Sequence, residues 1–347
     1  MQANRIDLYS DTQSRPTDAM RKAMAEAPVG DEQRGEDPSV NQLCAMTAAL
    51  LGKEAAVFMP SGTMCNEIAI LLHCRPGDEI IADQTAHIIN AEGGGPAAFA
   101  GALIRPLDGA RGIYTADQAE AAIRDKGRYT PNSRMIEIEQ TSNFGGGTVW
   151  PLAAIEAVAE VAKRHDLALH MDGARLLNAV VASGVAAKDY AATFDTLWID
   201  LSKGLGCPVG AVLAGSAELI NQAWQWKQRM GGAMRQAGII AAAGVHALEH
   251  HVERLAEDNG NARHFADLIA EVPGISIDPE TVETNIVFFD VVGAEQSAPA
   301  IAEGLAGHGV RIGPMGETTM RAVTHIDVDR AMIEEAASAL RAVVTGA

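Results

Sequence analysis

Short apolar segments that suit buried β-strands alternate with helical segments through the first two thirds of the 347-residue chain. The helices show a two-faced pattern, and one opens at Pro151 and places Leu152, Ile155 and Val158 on a single face. Strands joined by helices run mostly parallel, in a sheet that helices cover on both faces. This alternation predicts an α/β fold. The predicted strands are residues 55–59, 78–83, 135–138, 167–172, 196–201 and 209–214.

The last third of the chain has a different pattern. A long helix is predicted over residues 239–268, followed by helices that alternate with strands over 285–292 and 320–328. This order predicts a smaller α+β unit. We therefore expect a large domain with an N-terminal arm over residues 1–250 and a small C-terminal domain over residues 251–347.

The chain between the first helix and the first strand contains a clear loop signal. Residues 28–40 are polar and include two glycines and two prolines, which predicts a loop. The helix that follows carries Leu43, Met46 and Leu50 on one face. Ser39 is the predicted N-cap of this helix, because a serine hydroxyl can accept from a free amide of the first turn.

Charge and cysteine content narrow the class of protein. The formal net charge of −18 argues against nucleic acid or an anionic membrane surface as the main partner. Uncharged stretches such as 176–187 are too short to span a bilayer. The N-terminal segment has no basic region followed by an apolar run, so we do not expect secretion. We expect a cytoplasmic protein. Its cysteines match no zinc or disulfide spacing and are predicted free thiols: Cys44, Cys65, Cys74 and Cys207.

A lysine lies where one of the apolar strands stops. The run 195–201 leads directly into Ser202-Lys203-Gly204, so the ammonium group is placed between a buried strand and a glycine turn. Desolvating an ammonium is costly, so a surface lysine on a tight turn is the ordinary explanation for an isolated tripeptide of this kind. The alternative is a reactive lysine that forms a Schiff base.

Two more features follow predicted strands. The strand 55–59 leads into Pro60-Ser61-Gly62-Thr63 and a helix, where free amides, the helix dipole and two hydroxyls can hold an anion. Serine and threonine are also ordinary helix caps, so this signal is weak by itself. His87 follows the strand 78–83 at its carboxyl end, where ligands usually bind in α/β sheets, although a lone histidine is more often structural.

Two further motifs could suggest a ligand site, but we predict none at either. The run Glu92-Gly-Gly-Gly-Pro96 lacks the spacing of a dinucleotide-binding loop and follows no clear strand. His246, His250 and His251 could suggest a metal, but no carboxylate completes a ligand set. We expect a solvated helix face there and no metal site.

An acid completes the pattern. Asp172 ends the strand that precedes the Lys203 strand in the chain. Pyridoxal phosphate needs a helix N-terminus for its phosphate, a carboxylate to keep its pyridine nitrogen protonated, and a lysine for its aldehyde. The order of a hydroxyl-rich helix start, His87, Asp172 and Lys203 meets these needs together. The sequence therefore predicts a pyridoxal-phosphate site.

On these residues the chain resembles the low-specificity L-threonine aldolase family, in the β-eliminating lyase/threonine aldolase group of fold-type-I pyridoxal-phosphate enzymes. The resemblance implies the fold-type-I transferase fold, with a mostly parallel seven-stranded sheet in the large domain. It also implies a homotetramer, built as a dimer of dimers with shared active sites. The matching runs cover nearly the whole chain in the family's order: Pro-Ser-Gly-Thr-Met (60–64), Met-Asp-Gly-Ala-Arg (171–175), Leu-Ser-Lys-Gly-Leu-Gly-Cys-Pro-Val-Gly (201–210), Gly-Gly-Ala-Met-Arg-Gln-Ala-Gly (231–238) and Met-Arg-Ala-Val-Thr-His (320–325).

The resemblance implies a role for each cofactor-binding residue. Lys203 would form the Schiff base and Asp172 would pair with the pyridinium nitrogen. His87 would stack on the ring and is the candidate for proton transfer, which completes the catalytic group. The other implied cofactor-binding residues are Ser61, Gly62 and Thr63 at the phosphate, Arg175, and Arg235 contributed by a neighbouring subunit.

The resemblance also implies a substrate and a reaction. Ser10, Arg175 and Arg321 would bind the substrate carboxylate, a task that suits the paired donors of guanidinium groups. The enzyme would cleave L-threonine, L-allo-threonine or a related β-hydroxy-α-amino acid, such as a phenylserine, to glycine and an aldehyde. A base that takes the β-hydroxyl proton typically contributes on the order of 10²–10⁴-fold in rate.

Two positions depart from the family's usual pattern. Ser142 stands where relatives often carry a histidine associated with the β-hydroxyl, and Arg34 stands where they often carry a tyrosine. Both are implied to contact the part of the substrate beyond Cβ. We hypothesise a preference for a side chain other than the methyl of threonine. Arg34 could favour a polar or anionic group, or it could be a solvated loop charge.

Two other functions remain open from the sequence. A β-eliminating lyase or an aminotransferase would use the same cofactor for a different reaction. A non-catalytic binding or structural module would keep the fold alone, but the joint presence of Lys203, Asp172, His87 and two arginines argues against it.

Overall fold

The computed structural model describes residues 5–292 and 296–346. Its strands, in chain order, are β1 Ile6–Asp7, β2 Ala55–Met59, β3 Asp78–Asp83, β4 Leu103–Leu107, β5 Asn132–Glu139, β6 Ala168–Gly173, β7 Thr196–Asp200, β8 Ala211–Gly215, β9 Ile275–Ser276, β10 Ile286–Val291, β11 Val310–Arg311, β12 Gly313–Pro314 and β13 Thr319–Val323. Its α-helices are α1 Asp18–Ala25, α2 Pro38–Leu51, α3 Gly62–His73, α4 His87–Asn90, α5 Ala116–Ala122, α6 Leu152–Arg164, α7 Leu176–Ser183, α8 Ala187–Ala191, α9 Ala217–Arg229, α10 Gly238–His250, α11 Leu255–Ala270, α12 Ala298–Gly307 and α13 Arg330–Thr345. Short 3₁₀ turns lie at Asp11–Gln13, Glu32–Arg34 and Pro279–Thr281, and a π-type turn lies at Pro96–Ala100.

A large sheet dominates the fold. Among the described residues it has seven strands in the order β2-β8-β7-β6-β5-β3-β4. Strands β3 to β7 pair in parallel, whereas β8 runs antiparallel to both β7 and β2. The predicted α/β fold with a mostly parallel seven-stranded sheet is therefore confirmed.

Helices cover this sheet on both faces. Every residue of β7 is buried. Its successive side chains point to opposite faces: Ile199 packs in a core cluster with Leu43 of α2 and Ile155 of α6, while Trp198 packs in a separate cluster with Ile68 of α3. Burial on both faces explains why the strand is apolar along its length rather than alternating.

The edge strand β4 was not predicted from the sequence. Its residues are all exposed or half-buried, and it includes Pro106, which cannot donate to a sheet ladder. A proline inside such a segment argues against a central strand. The structure accommodates Pro106 because β4 pairs only with β3 within the described sheet.

The prediction that Ser39 caps α2 is wrong. The cap is Asp37, whose side chain accepts from the amide of Val40 at 3.1 Å. Pro38 occupies the first helical turn, where its missing N–H leaves no group unsatisfied. The Ser39 hydroxyl instead donates to the carbonyl of Pro28 at 2.7 Å and ties the preceding loop to the helix.

The prediction of one long helix over 239–268 is also wrong. The chain forms α10 and α11, which are separated by a turn at residues 251–254. His251 is buried at this turn, and its Nδ1 lies 2.8 Å from the carbonyl oxygen of Leu205. This tertiary contact places the break, so His251 does not belong to a solvated helix face.

The C-terminal part of the chain builds a second sheet. Within the described ranges its four strands have the order β12-β13-β10-β9 and pair antiparallel. The N-terminal strand β1 pairs in parallel with β11, and Ile6 and Leu8 pack in the core cluster of this C-terminal part. The division at residue 250 stays a prediction. Strand β1 of the N-terminal arm packs on the C-terminal part, whereas Asp11 further along the arm binds Arg175 next to the large sheet.

The described helices include no segment with the length and apolar character needed to cross a bilayer.

Candidate active site

A cavity of about 370 Å³ opens at the carboxyl ends of several strands of the large sheet, among the loops that follow these strands. It brings together most of the residues that the sequence analysis singled out. Its lining includes Ser10, Ser61, Gly62, Thr63, His87, Asp172, Arg175, Lys203 and Arg321, and it also includes Thr12, Ala91, Glu139, Asn143, Phe144, Ala174, Trp198, Asp200 and Ser202.

Lys203 reaches this cavity from the turn after β7. Its Nζ lies 3.1 Å from Oδ2 of Asp200, and its side chain is only 15% exposed. Oδ1 of Asp200 accepts from both the amide and the hydroxyl of Ser202, each at 2.8 Å, which fixes the carboxylate. The Lys203 amine is therefore fixed by its ion pair with Asp200 and largely buried, unlike a mobile lysine on the protein surface.

Asp172 lies near the end of β6 and is almost fully buried. Its Oδ1 accepts from the amide of Ala174 at 3.0 Å, and its Oδ2 accepts from the side-chain amide of Asn66 at 2.8 Å. Asn66 is fixed in turn, because its Oδ1 accepts from Trp198 Nε1 at 2.6 Å. These donors fix the orientation of the carboxylate, which lines the cavity.

His87 begins the short helix α4 and is held by two acids. Its Nδ1 lies 2.7 Å from Oε1 of Glu92, and its backbone amide donates to Oε2 of Glu139 at 2.7 Å. Burial by itself would lower the pKa of His87, but the Glu92 hydrogen bond and the charges of Asp172, Glu92 and Glu139 raise it overall. Its Nε2 has no hydrogen-bond partner among the described residues.

Two arginines also line the cavity, and they differ in their pairing. Arg175 is buried and binds Asp11 through two hydrogen bonds of 2.7 Å. Arg321 of β13 donates to Oδ1 of Asn143 at 3.0 Å, while its buried Nε has no partner in the described part of the chain. Burial and the neighbouring charge of Arg175 lower the pKa of Arg321, so an anion placed here would be stabilised.

The N-terminus of α3 forms another wall of the cavity. The Ser61 hydroxyl caps this helix by accepting from the amide of Met64 at 3.2 Å. The first amides of the helix, at Gly62 and Thr63, have no intrahelical carbonyl to bind. Gly62 allows close packing, because a Cβ at this position would overlap the Trp198 indole. The wall offers unpaired amides and a positive helix end to an anion.

Four predicted residues need a separate description. Ser10 lines the cavity, and its hydroxyl accepts from Thr12 Oγ1 at 2.9 Å. Arg34 and Arg235 are exposed and lie outside the cavity lining of their own chain, and Arg235 pairs with Asp31 at 2.9 Å. Ser142 is buried beside the cavity but is not part of its lining.

Several residues of the site were missed in the sequence analysis. Asp11, Asn66, Glu92 and Glu139 are buried and bind the predicted residues directly. Glu92 lies in the glycine-rich run that was examined only as a dinucleotide motif. The signal that could have found it was an acid five residues after His87 in a tight turn.

Comparisons with known proteins agree with this geometry. Residues 7–292 match the family model described as beta-eliminating lyase. The low specificity L-threonine aldolase of Escherichia coli K12 is 40% identical over 97% of this chain and 98% of its own length. Low-specificity L-threonine aldolase 1 of Arabidopsis thaliana is 38% identical over 92% of this chain and 91% of its own. A solved structure of Leishmania major threonine aldolase shares the fold, with a TM-score of 0.82 at 21% identity, and covers 98% of this chain and 99% of that one.

The family model covers most of the chain, and the curated relatives match it from end to end at levels that show common descent. The chain therefore belongs to the beta-eliminating lyase family and, within it, to the low-specificity L-threonine aldolases.

Proposed function

We propose that this chain is a pyridoxal-phosphate-dependent carbon–carbon lyase that cleaves L-threonine, L-allo-threonine or a related β-hydroxy-α-amino acid to glycine and an aldehyde. The observation that carries the proposal is the meeting of a lysine, a carboxylate, an imidazole, a helix N-terminus and two guanidinium groups in one cavity of about 370 Å³. Membership of the low-specificity L-threonine aldolases supports the same reaction.

The residues of the cavity fit pyridoxal phosphate. Lys203 would hold the cofactor covalently through Nζ, and the amides at the start of α3 would bind its phosphate. Asp172 would keep the ring nitrogen protonated, since Asn66 and Ala174 donate to its carboxylate and keep it in place. When bound, the cofactor supplies an electron sink for the pair released at Cα as the Cα–Cβ bond breaks.

The arginines would position the substrate. Arg321 has a buried Nε without a partner in the described structure, and a substrate carboxylate would supply the missing acceptor. Asp11 already neutralises Arg175, so Arg175 would contribute one remaining nitrogen rather than a full charge. Ser10 lines the same cavity and offers a hydroxyl.

His87 would accept the proton of the β-hydroxyl. Its Nδ1 is bound to Glu92, so the proton is held on Nδ1 and the lone pair of Nε2 remains for the substrate. Cleavage moves electrons from the β-hydroxyl oxygen into the forming carbonyl of the aldehyde. The same imidazolium could then return its proton to Cα of the glycine product.

The side chain that the enzyme prefers is a separate proposal. Ser142 and Arg34 were predicted to contact the group beyond Cβ, but neither lines the cavity within one chain, whereas Asn143 and Phe144 do. Turnover of L-threonine, L-allo-threonine, phenylserine and 3-hydroxyaspartate should be compared. A clear preference for L-threonine would contradict the hypothesis of a different side chain.

We also propose that the enzyme acts in the cytoplasm as a homotetramer with shared sites. The exposed position of Arg235, outside its own cavity, is compatible with a contribution to a neighbouring subunit. Arg235→Ala should weaken cofactor binding in a tetramer, and sedimentation should give the mass of four chains. A monomer with an unchanged cofactor affinity would contradict this proposal.

The central test is spectroscopic and chemical. Protein incubated with pyridoxal phosphate should show a visible absorption band that disappears on borohydride treatment, and β-hydroxy amino acids should then yield glycine and an aldehyde in equal amounts. Absence of the band would overturn the cofactor assignment. Release of ammonia and a keto acid would instead support β-elimination, which the description of the matched family makes the second candidate.

A further inference from the structure

One buried acid, Glu67, has no part in the proposed reaction so far, and a second, Glu92, has been assigned only its contact with His87. Glu67 on α3 and Glu92 in the glycine-rich turn are 2% and 8% exposed. Oε1 of Glu92 contacts His87 Nδ1 and accepts from Asn66 Nδ2, each at 2.7 Å. Its Oε2 and both oxygens of Glu67 have no hydrogen-bond donor among the described residues.

These unpaired oxygens belong to neighbouring carboxyl groups. The Glu67 carboxyl lies beside the turn that carries Glu92, whose carbonyl accepts from the amide of Gly95 at 3.0 Å. It packs against Gly95, where a Cβ would overlap Oε1 of Glu67. Two neighbouring buried carboxyl groups, with no lysine or arginine bound to either in the described structure, are unfavourable when both are ionised. One proton between them removes the repulsion and gives the unpaired oxygens a donor.

The surroundings decide which group holds this proton. Glu92 has donors from Asn66 and His87 that stabilise a carboxylate, whereas Glu67 has none in the described ranges. Burial and the neighbouring Glu92 raise the pKa of Glu67 to about 8, so Glu67 carries the proton at pH 7. The other charged groups that face His87 are Asp172 and Glu139.

We propose that Glu67 is a positioning residue of the active site: its protonated carboxyl donates to Glu92, and Glu92 accepts from Nδ1 of His87 and leaves Nε2 free for the substrate. Glu67 thus draws part of the negative charge of Glu92 away from the imidazole. The role of His87 rests on the proposed function, whereas the shared proton rests on the burial and the unpaired oxygens of the two carboxyl groups.

The shared proton is tested by infrared difference spectroscopy on the full-length protein loaded with pyridoxal phosphate. Glu67→Gln keeps the shape and a donor N–H but cannot carry an acidic proton. The spectrum of the unsubstituted protein minus that of E67Q at pH 7 should contain the carbonyl stretch of one protonated carboxyl group. A carboxylate band in that difference would overturn the proposal, because it would mean that Glu67 is ionised.

The effect on His87 is tested by its titration. Diethyl pyrocarbonate modifies only neutral imidazole, so the modification rate of His87 between pH 5 and pH 9, followed by peptide mass spectrometry, reports its pKa. Exposed His308 serves as the internal control. Glu67→Met removes the hydrogen-bond donor to Glu92. The full negative charge of Glu92 should then raise the pKa of His87 by about half to one unit.

E67Q keeps a donor and should titrate like the unsubstituted protein. An unchanged His87 pKa in E67M, or an equal rise in E67Q, would overturn the positioning role. Should E67M fail to fold, Gly95→Ala displaces the Glu67 carboxyl without removing it and should raise the His87 pKa in the same direction. Neither experiment measures turnover, so their outcome is independent of whether the chain cleaves β-hydroxy amino acids.

Discussion

Arg321 is the residue whose replacement should separate substrate binding from chemistry. Its guanidinium donates to Asn143, its buried Nε has no partner among the described residues, and burial and Arg175 lower its pKa. A substrate carboxylate would therefore supply the hydrogen-bond acceptor that Arg321 Nε lacks in the described structure, without displacing an acidic side chain from it. Arg321→Gln removes the charge and the paired donors but keeps a polar side chain.

The expected loss follows from the geometry. Removing one partner of a desolvated, hydrogen-bonded charge pair costs about 2–5 kcal/mol. At about 1.36 kcal/mol per decade, kcat/KM should fall by roughly 30- to 5,000-fold in R321Q. Most of the loss should appear in KM, because the carboxylate contact is made in the ground state as well as in the transition state. Arg321→Lys keeps the charge without the fork and should lose less.

The assay measures release of glycine and aldehyde from L-threonine and from its carboxamide, which lacks the carboxylate. The carboxamide should be a poor substrate for the unsubstituted enzyme and should lose little more in R321Q. Arg164→Gln, which breaks an exposed pair with Glu120, is the matched control and should leave kcat/KM unchanged. The reasoning is refuted by an unaltered KM in R321Q, or by an equal loss on both substrates.

Three further predictions concern the cofactor and stability. Lys203→Ala should abolish the borohydride-sensitive visible band and most turnover while circular dichroism stays unchanged; a retained band would contradict its role. Glu67 keeps its proton in the folded protein up to about pH 8 but loses it in the unfolded chain near pH 4.5. Between these pH values the folded state binds one proton more than the unfolded state. The free energy of unfolding, relative to that of E67Q, should therefore fall with rising pH by about 1.4 kcal/mol per pH unit. Urea titrations at several pH values measure this slope, and parallel curves would refute it. Gly62→Ala would crowd the Trp198 indole and should lower the free energy of unfolding by about 1–3 kcal/mol in urea titrations, with weaker cofactor binding; unchanged values would refute close packing there.

Local pattern was enough for six of the seven described strands of the large sheet, all but the edge strand β4. Residues 55–59 and 78–83 form strands with the predicted bounds, because their apolar runs are bounded by turn residues. The break between α10 and α11 could not be predicted in this way. It depends on the bond between His251 and the carbonyl of Leu205, two residues that are 46 positions apart.

The sequence by itself determined the α/β class and the positions of Lys203, Asp172, His87 and the α3 N-terminus at strand ends and helix starts, because these are marked by local apolar periodicity and by turn residues. The family followed from the resemblance of its motifs, not from periodicity. Only the tertiary structure showed which side chains support these site residues. Asn66 binds Asp172 across 106 positions, and Asp11 binds Arg175 across 164. Such pairs depend on strand order and helix packing, and a buried polar contact between distant positions leaves no periodic trace in the chain. For the same reason, the proton that Glu67 and Glu92 are proposed to share could not be predicted from the sequence.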